Sequence, residues 1–137
     1  MKYLMMVQAA QADYDAMGGR ASGHSPAWNE KELRAMFAFM EELNDELTDS
    51  GELVDTRALV EPARTRLVDL GPDGRARIAE DPYGPTEVVM AGYWVLDCES
   101  PERVTEIAER VLRCPVPEGS PEYPVVIRPI DTGRPDE

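Results

Sequence analysis

The sequence predicts an α+β fold built on one antiparallel sheet, and three observations lead to that fold class. Two segments with a helical apolar period lie among several short apolar runs, so helices and strands follow one another along the chain. Pro, Gly and Asp cluster between these runs, where turns are needed. The 137 residues, 42% of them hydrophobic, suffice for one domain with a real core. We expect a single domain over residues 1–130 and a frayed tail over 131–137.

The first third of the chain predicts a strand, a loop and a helix. Residues 2–8 (KYLMMVQ) are apolar at nearly every position and predict the first strand, and the polar, Gly-containing residues 10–26 predict a loop. Asn29 and Glu32 have the spacing of a helix capping box, and Gly51 suits the left-handed position after the last turn. Apolar residues recur between them at three- and four-residue steps and give one helix face: Leu33, Met36, Phe37, Met40, Leu43 and Leu47.

The rest of the chain predicts a strand stopped by Pro62, a hairpin around Pro72-Asp73-Gly74, a long strand, a second helix and a last strand. The second helix begins at Ser100-Pro101. Its apolar face contains Val104, Ile107, Ala108, Val111 and Leu112. The segments are, in order, residues 52–62, 65–80, 88–98, 100–114 and 123–130. With the hairpin as an insertion, the order is βαββαβ. This is the ferredoxin-like arrangement, with two helices on one face of an antiparallel sheet.

The strands are apolar on both faces, which two helices on one face do not explain. One side of the long strand carries Val89, Ala91, Tyr93 and Val95, and the other carries Val88, Met90, Gly92, Trp94 and Leu96. An antiparallel sheet covered on one face normally alternates apolar and polar residues. We therefore predict a homodimer in which two copies pack through the sheet face.

The composition limits the classes of binding partner and the cellular compartment that we expect. Net charge is −13, from 27 acidic and 14 basic residues, which argues against nucleic acid and anionic membranes as partners. The N-terminal apolar run is short and interrupted by Gln8, which favours a strand over an export signal. Cys98 and Cys114 form no disulfide framework, so a cytoplasmic location is predicted.

No nucleotide-binding glycine motif and no Cys or His metal motif occurs, and the chain has one histidine. We therefore predict no metal and no cofactor. His24 is either a solvated loop residue or a pocket-lining general base.

The turn before the long strand, EDPYGP at 80–85, contains the other candidate catalytic residues, Glu80 and Asp81. Neighbouring carboxylates can divide acid and base work, although Pro82 and Gly84 would shape this corner in any case. The candidate ligand-binding residues are Tyr3, Tyr83, Tyr93 and Arg57. The three tyrosines either face a ligand or belong to the core. Arg57 lies in a strand and needs a partner, which is either a carboxylate of this chain or an anionic ligand.

Three segments give the chain a family resemblance: MKYLMMV at 1–7, SGELVDTRALVEP at 50–62, and residues 80–115. Together they resemble the YCII-related proteins, in the branch that has a D-G-P-F motif. Glu80, Asp81, Pro82 and Tyr83 stand at the four motif positions. Residues 91–94 (AGYW) fall on the Gly-Gly-aromatic-aromatic pattern that follows.

The resemblance implies a dimeric α+β barrel and a small-molecule site in the cleft between helices and sheet, used without a cofactor. Some relatives are similar to dehydrochlorinases with a His-Asp pair whose histidine is on the first helix, where this chain has Phe37, Phe39 and Met40. Family members are also associated with extracytoplasmic-function sigma factors. Two hypotheses stay open: a small-molecule-binding protein or cofactor-free enzyme, and a non-catalytic regulatory module with a protein partner.

Overall fold

The computed structural model describes residues 1–133; residues 134–137 of the tail predicted to fray lie outside the described residues. The strands are β1 (Lys2–Ala9), β2 (Leu53–Ala58), β3 (Arg66–Leu70), β4 (Ala76–Glu80), β5 (Val89–Asp97) and β6 (Val126–Pro129). The helices are α1 (Gln11–Met17), α2 (Glu30–Asp49) and α3 (Pro101–Leu112), with a short 3₁₀ turn at Pro62–Arg64. The strand predicted at 52–62 is shorter in the structure: it ends at Ala58, and the 3₁₀ turn begins at Pro62.

Four strands form the main sheet in the order β2-β5-β1-β6, and each pairs antiparallel with its neighbours. The central strand β1 brings Met5 opposite Trp94 of β5 and Ile127 of β6. The sheet is open, with β2 and β6 as its edges, and β3 and β4 form a separate two-stranded sheet. The predicted α+β class with an antiparallel sheet is confirmed.

One face of the main sheet is covered by α2 and α3. Side chains on alternate positions of β1 and β5 face the same side of a sheet, and here they meet apolar residues of both helices. The buried cluster consists of Tyr3, Met5, Leu43, Leu47, Trp94, Leu96, Cys98, Val104, Ile107, Ala108 and Val111. Each large side chain removed from water in this way contributes roughly 1.5–3 kcal/mol, so this cluster is the main source of stability.

The other face, which we call the open face, carries the intervening residues of the same strands. Leu4 and Met6 of β1 and Tyr93 and Val95 of β5 are half-buried there. Apolar side chains therefore lie on both faces of the central strands, as the sequence pattern predicts. The buried core uses only one of these faces.

The loop predicted for residues 10–26 is wrong at its beginning, because α1 occupies Gln11–Met17. Asp13 Oδ2 accepts a hydrogen bond from the Ala10 N–H at 2.8 Å and caps the helix. Ala12 and Ala16 are buried, and the Ala12 N–H donates to the Pro85 carbonyl at 2.8 Å. A short helix of small residues thus lies against the segment that leads into β5.

The ends of α2 follow the sequence prediction. Asn29 Oδ1 accepts from the Glu32 N–H at 2.8 Å, and Glu32 Oε1 accepts from the Asn29 N–H at 2.9 Å. Gly51 has φ 79°, the left-handed conformation expected after the helix. The apolar face is covered unevenly, since Leu43 and Leu47 are buried whereas Phe37 is 60% exposed.

Strands β3 and β4 form the hairpin arm, residues 66–80, around a turn in which Gly74 has φ 77°. Every residue of both strands is exposed. At the base of the arm the Asp81 N–H donates to the Thr65 carbonyl at 3.1 Å. The predicted hairpin is confirmed, and it extends away from the core cluster.

Strands β2 and β5 approach each other closely at Gly92. A Cβ atom there would lie 3.0 Å from the Arg57 carbonyl oxygen and 3.6 Å from Val7 Cγ2. A larger residue would crowd the β2 backbone, which would have to shift by a few tenths of an ångström. The close approach of the two strands therefore favours glycine at this position.

Candidate functional site

Four polar side chains from three segments meet at one end of the main sheet. Asp13 is on α1, His24 and Ser25 are in the loop between α1 and α2, and Tyr123 precedes β6. We call these four residues the Asp13 cluster. Of them, His24 is the one that the sequence analysis names as a candidate.

Asp13 is the centre of this cluster. Its Oδ2 accepts from the Tyr123 hydroxyl at 2.6 Å as well as from the Ala10 N–H, and its Oδ1 accepts from the Ser25 hydroxyl. Ser25 is 3% exposed, so this last contact is shielded from water. With three donors on two oxygens, the carboxylate is fixed in one orientation.

Tyr123 links Asp13 to His24. Burial raises the pKa of the Tyr123 hydroxyl, and the neighbouring Asp13 raises it further. The phenol therefore keeps its single proton and donates it to Asp13. Its oxygen also lies 2.7 Å from His24 Nε2.

This arrangement determines the tautomer of His24. Because the Tyr123 proton points at Asp13, the Nε2–H of His24 must donate to the phenol oxygen. In the neutral ring, Nδ1 is then an unprotonated acceptor, and it makes no hydrogen bond within residues 1–133. The two rings are stacked, with centroids 6.4 Å apart, and Nε2 lies 3.7 Å from Asp13 Oδ1.

The loop holds His24 in place by local hydrogen bonds. Ser22 Oγ accepts from the backbone N–H groups of both His24 and Ser25 at 3.1 Å, which closes a tight turn. The His24 side chain is 24% exposed. The ring is therefore held in place and is partly exposed to solvent.

Glu80 and Asp81 lie at the base of the hairpin arm and are exposed. Glu80 Oε1 is 3.0 Å from Arg66 Nη2, across the two strands of the arm. Within the described residues, no hydrogen bond or ion pair joins either carboxylate to His24. The turn that follows them reaches α1 through Pro85, so it neighbours the Asp13 cluster without contributing a side chain to it.

The remaining candidates are dispersed. Tyr3 is 3% exposed and belongs to the core cluster, while Tyr83 and Tyr93 are half-buried. Tyr93 lies on the open face opposite Arg57. Arg57 Nη1 is 2.9 Å from Asp55 Oδ1, so it has a carboxylate partner, one of the two alternatives that the sequence left open.

The described residues contain no group of three His, Cys, Asp or Glu side chains placed to hold a metal ion. Burial raises the pKa of both the Cys98 and the Cys114 thiols to about 11, so neither is activated as a nucleophile. None of the helices in the described part of the chain is long and apolar enough to cross a membrane.

Two shallow surface grooves lie elsewhere. One, of about 240 Å³, is on the hairpin arm and is lined by Leu67, Asp69, Arg77, Ile78 and Ala79. The other, of about 340 Å³, is formed by the start of α2 and the segment after α3: Asn29, Lys31, Glu32, Ala35, Pro115 and Val116. Neither includes a member of the Asp13 cluster.

The sequence analysis missed Asp13, Ser25 and Tyr123. Asp13 had a local signal, since an acid three residues after the N-cap residue, here Ala10, can cap a short helix. Ser22 and Ser25 frame His24 in a pattern typical of a turn. Tyr123 had no local signal, because 110 residues separate it from Asp13.

Comparison with known proteins gives no match to a protein-family model and none to a curated protein. The resemblance to the YCII-related family therefore stays a prediction that rests on the residue motifs, chiefly those at 80–83 and 91–94.

Proposed function

We propose that the protein binds a small molecule and acts on it as a cofactor-free enzyme, with His24 as the group that transfers a proton. One observation carries this proposal: the hydrogen-bonded chain from Asp13 through Tyr123 to His24 leaves Nδ1 of a fixed, accessible imidazole without a partner in the described residues. A positioned histidine of this kind typically accelerates a proton transfer by about 10²- to 10⁴-fold.

The chemistry follows from the proton positions. Nδ1 takes a proton from a weakly acidic C–H or O–H group of the substrate, and the ring becomes an imidazolium. Asp13, with its carboxylate 3.7 Å from Nε2 and bridged to it by Tyr123, stabilises that charge. The imidazolium then returns the proton to another atom of the same molecule, which amounts to an isomerisation. His24 is the catalytic residue, and Asp13 and Tyr123 are positioning residues.

The charge of the chain suggests the substrate class. At −13, the protein repels polyanions, and the carboxylate nearest to His24 is already engaged by three donors. Neutral molecules with a weakly acidic proton, such as hydroxylated aromatics and lactones, fit these conditions.

The finer fold proposal is a ferredoxin-like βαββαβ domain that forms a homodimer through the open face, as an α+β barrel built from two copies. The strand order β2-β5-β1-β6, with the hairpin arm as an insertion, supports the first part. Half-buried Leu4, Met6, Tyr93 and Val95 on the open face support the second. Free thiols at Cys98 and Cys114 are in keeping with a cytoplasmic location.

The backbone at Asp81 supports the family proposal. Asp81 has φ 48°, a left-handed conformation that glycine adopts without strain. It stands where the D-G-P-F motif has its glycine. If aspartate replaced a glycine at this position and the backbone kept its shape, Asp81 would be held in the left-handed conformation that it has here.

The alternative is a non-catalytic module that binds a protein, with an extracytoplasmic-function sigma factor as the partner class. Two observations favour this alternative. Both grooves are shallow, and the arm exposes the apolar side chains of Val68, Leu70 and Ile78 to solvent, as a protein-binding surface would.

The tautomer of His24 tests the first proposal directly, because the chain has one histidine. Nitrogen NMR of the labelled imidazole at mildly alkaline pH should report a protonated Nε2 and a bare Nδ1. Tyr123→Phe should shift the ring towards a mixture of tautomers, whereas the control Tyr83→Phe should not. A bare Nε2 in the wild type would contradict the proposed mechanism.

Ligand binding tests the site. A thermal-shift screen of neutral hydroxylated aromatics and lactones should find compounds that raise the Tm of the wild type. His24→Gln should abolish the shift, and Asp81→Asn should retain it if the Asp13 cluster is the site. Loss in Asp81→Asn alone would move the site to the turn, and a screen without hits would favour the interaction module.

A further inference from the structure

The segment that carries Tyr123 belongs to no helix or strand, although the Asp13 cluster depends on the position of this ring. Residues 113–125 connect α3 to β6. A turn orders the first part of the segment, since the Ser120 N–H donates to the Pro117 carbonyl at 3.1 Å. Tyr123 precedes Pro124, which confines the Tyr123 backbone to extended conformations. What remains to be fixed is the position of the segment relative to the sheet.

Gln8, the polar residue that interrupts the apolar run of β1, makes a contact with this segment. Its Nε2 donates to the Pro124 carbonyl oxygen at 2.9 Å. Within the described residues, this is the one side-chain hydrogen bond that joins the sheet to the backbone of residues 121–125. The carbonyl also determines the orientation of the amide, because only the NH₂ group of a glutamine side chain can donate.

The register of the sheet shows why a side chain makes this contact. The pairing of β1 with β6 ends at Met6 opposite Val126. Continued by two residues, the same register would place Gln8 opposite Pro124. Proline has no N–H group to donate to a ladder, and the pairing stops before it. The Gln8 amide thus joins the two segments at the point where the backbone ladder has ended.

A β-bulge lies at the same point on the other side of β1. Val7 pairs with Gly92 and Gln8 pairs with Met90, so Ala91 of β5 has no partner on β1. A bulge increases the local twist of a sheet, and bulges are common beside functional sites because they re-aim a side chain. The shift in register therefore falls directly before the residue whose amide contacts the segment of Tyr123.

We propose that Gln8 is a positioning residue for the proton transfer at His24. Its amide holds the Pro124 carbonyl and, with it, the neighbouring Tyr123. The Tyr123 hydroxyl oxygen then stays 2.6 Å from Asp13 and 2.7 Å from His24, and this contact determines the tautomer of the imidazole. The inference rests on the proposed function, and it extends the hydrogen-bonded chain of the Asp13 cluster to the central strand of the sheet.

The tautomer of His24 measures this role. Gln8→Met keeps the length of the side chain and removes the donor, so the contact between Tyr123 and His24 should weaken. Nitrogen NMR of the labelled imidazole at mildly alkaline pH should show the ratio of the Nε2–H to the Nδ1–H tautomer falling by roughly two- to tenfold, the effect of losing one neutral hydrogen bond. Gln8→Lys, which can donate to the same carbonyl, should restore most of the wild-type ratio.

Thr56→Val is the matched control. Thr56 Oγ1 donates to the Tyr93 carbonyl at 3.0 Å, so this variant also removes one hydrogen bond from a side chain to a carbonyl, on the β2 side of the sheet. Gln8→Met and Thr56→Val should both lower the Tm by about 2–5 °C, whereas only Gln8→Met should change the tautomer ratio.

The outcomes separate this inference from the proposed function. If Nε2 is protonated in the wild type and the ratio is unchanged in Gln8→Met, the role of Gln8 alone is overturned. An equal shift in Thr56→Val, or a shift that Gln8→Lys does not reverse, would overturn it as well, because the effect would then be one of general stability. A bare Nε2 in the wild type would contradict the proposed function itself and, with it, the positioning role.

Discussion

The covered face of the main sheet and the hairpin arm use the same kinds of residue with opposite results. Leu96 of β5 is fully buried, whereas Leu70 of β3 is 71% exposed, although both are leucines in antiparallel strands. The connections explain the difference. Helices α2 and α3 follow β1 and β5 and fold back onto the sheet, whereas a tight turn joins β3 to β4 and brings no covering layer. Apolar residues thus indicate a strand, and the connection decides whether it is covered.

The largest effect should come from truncating the core. Ile107→Ala removes a fully buried side chain and should lower the free energy of unfolding by about 3 kcal/mol, because a cavity remains under α3. Val68→Ala in the arm should change it by less than about 0.5 kcal/mol. Urea denaturation at protein concentrations low enough to prevent any self-association measures both. Equal losses would mean that the arm is covered within its own chain.

Two ion pairs of the same geometry extend the comparison to charges. Arg103 donates two hydrogen bonds to Glu52 at 2.8 and 2.9 Å, and the Glu52 side chain is 15% exposed. Arg77 donates two hydrogen bonds to Asp69 at 3.0 Å, and both of these side chains are mostly exposed. Arg103→Gln should cost about 1–2 kcal/mol, because it leaves a shielded carboxylate without its partner. Arg77→Gln should cost less than about 0.5 kcal/mol. The reverse order would contradict the burial argument.

The shielded pair should also leave a signature in the pH dependence of stability. Hydrogen bonding from Arg103 lowers the pKa of Glu52 from 4.5 to about 2. Because the folded state lowers this pKa, the stabilisation is complete above pH 4.5 and is lost as the pH falls towards 2.

Glu52→Gln should therefore remove about 1 kcal/mol of the pH dependence over that interval, after allowance for solvent screening. Urea denaturation of wild type and variant at matched pH values measures it. The double variant Glu52→Gln/Arg103→Gln should show the same loss of pH dependence. A wild-type slope in both variants would show that other carboxylates account for the acid sensitivity.

The smallest effect is expected at the joint between the two regions. Asp81 holds φ 48°, so Asp81→Gly should raise the free energy of unfolding by about 0.5 kcal/mol, after the greater flexibility of glycine in the unfolded chain is allowed for. Asp81→Asn should be neutral and Asp81→Val destabilising, since a branched side chain resists this conformation. Thermal unfolding should rank Gly above Asn and Asp, with Val last.

Much of the fold is predictable because its signals are local. The capping box of Asn29 and Glu32, the turn around Gly74 and the apolar face of α3 all depend on residues a few positions apart. Which part of α2 is buried was not predictable. Periodicity predicts the apolar face of the helix, but it does not say which half of that face packs against the sheet. Phe37 continues the stripe of Leu43 and remains 60% exposed.

The candidate site was less predictable than the fold. His24 could be singled out by its chemistry, but its partners Asp13 and Tyr123 become neighbours only after α1 and the approach to β6 are in place. Of the conspicuous carboxylates, in contrast, Glu80 forms an ion pair with Arg66 across the arm, and Asp81 forms a corner of the backbone.

The close approach at Gly92 has an evolutionary consequence. A Cβ atom there would crowd the Arg57 carbonyl, so selection for folding alone favours glycine at this position. Gly92 belongs to the AGYW segment, one of the motifs on which the predicted YCII-related resemblance rests. A motif glycine can thus record a steric requirement between two strands, and its retention is no guide to where chemistry takes place.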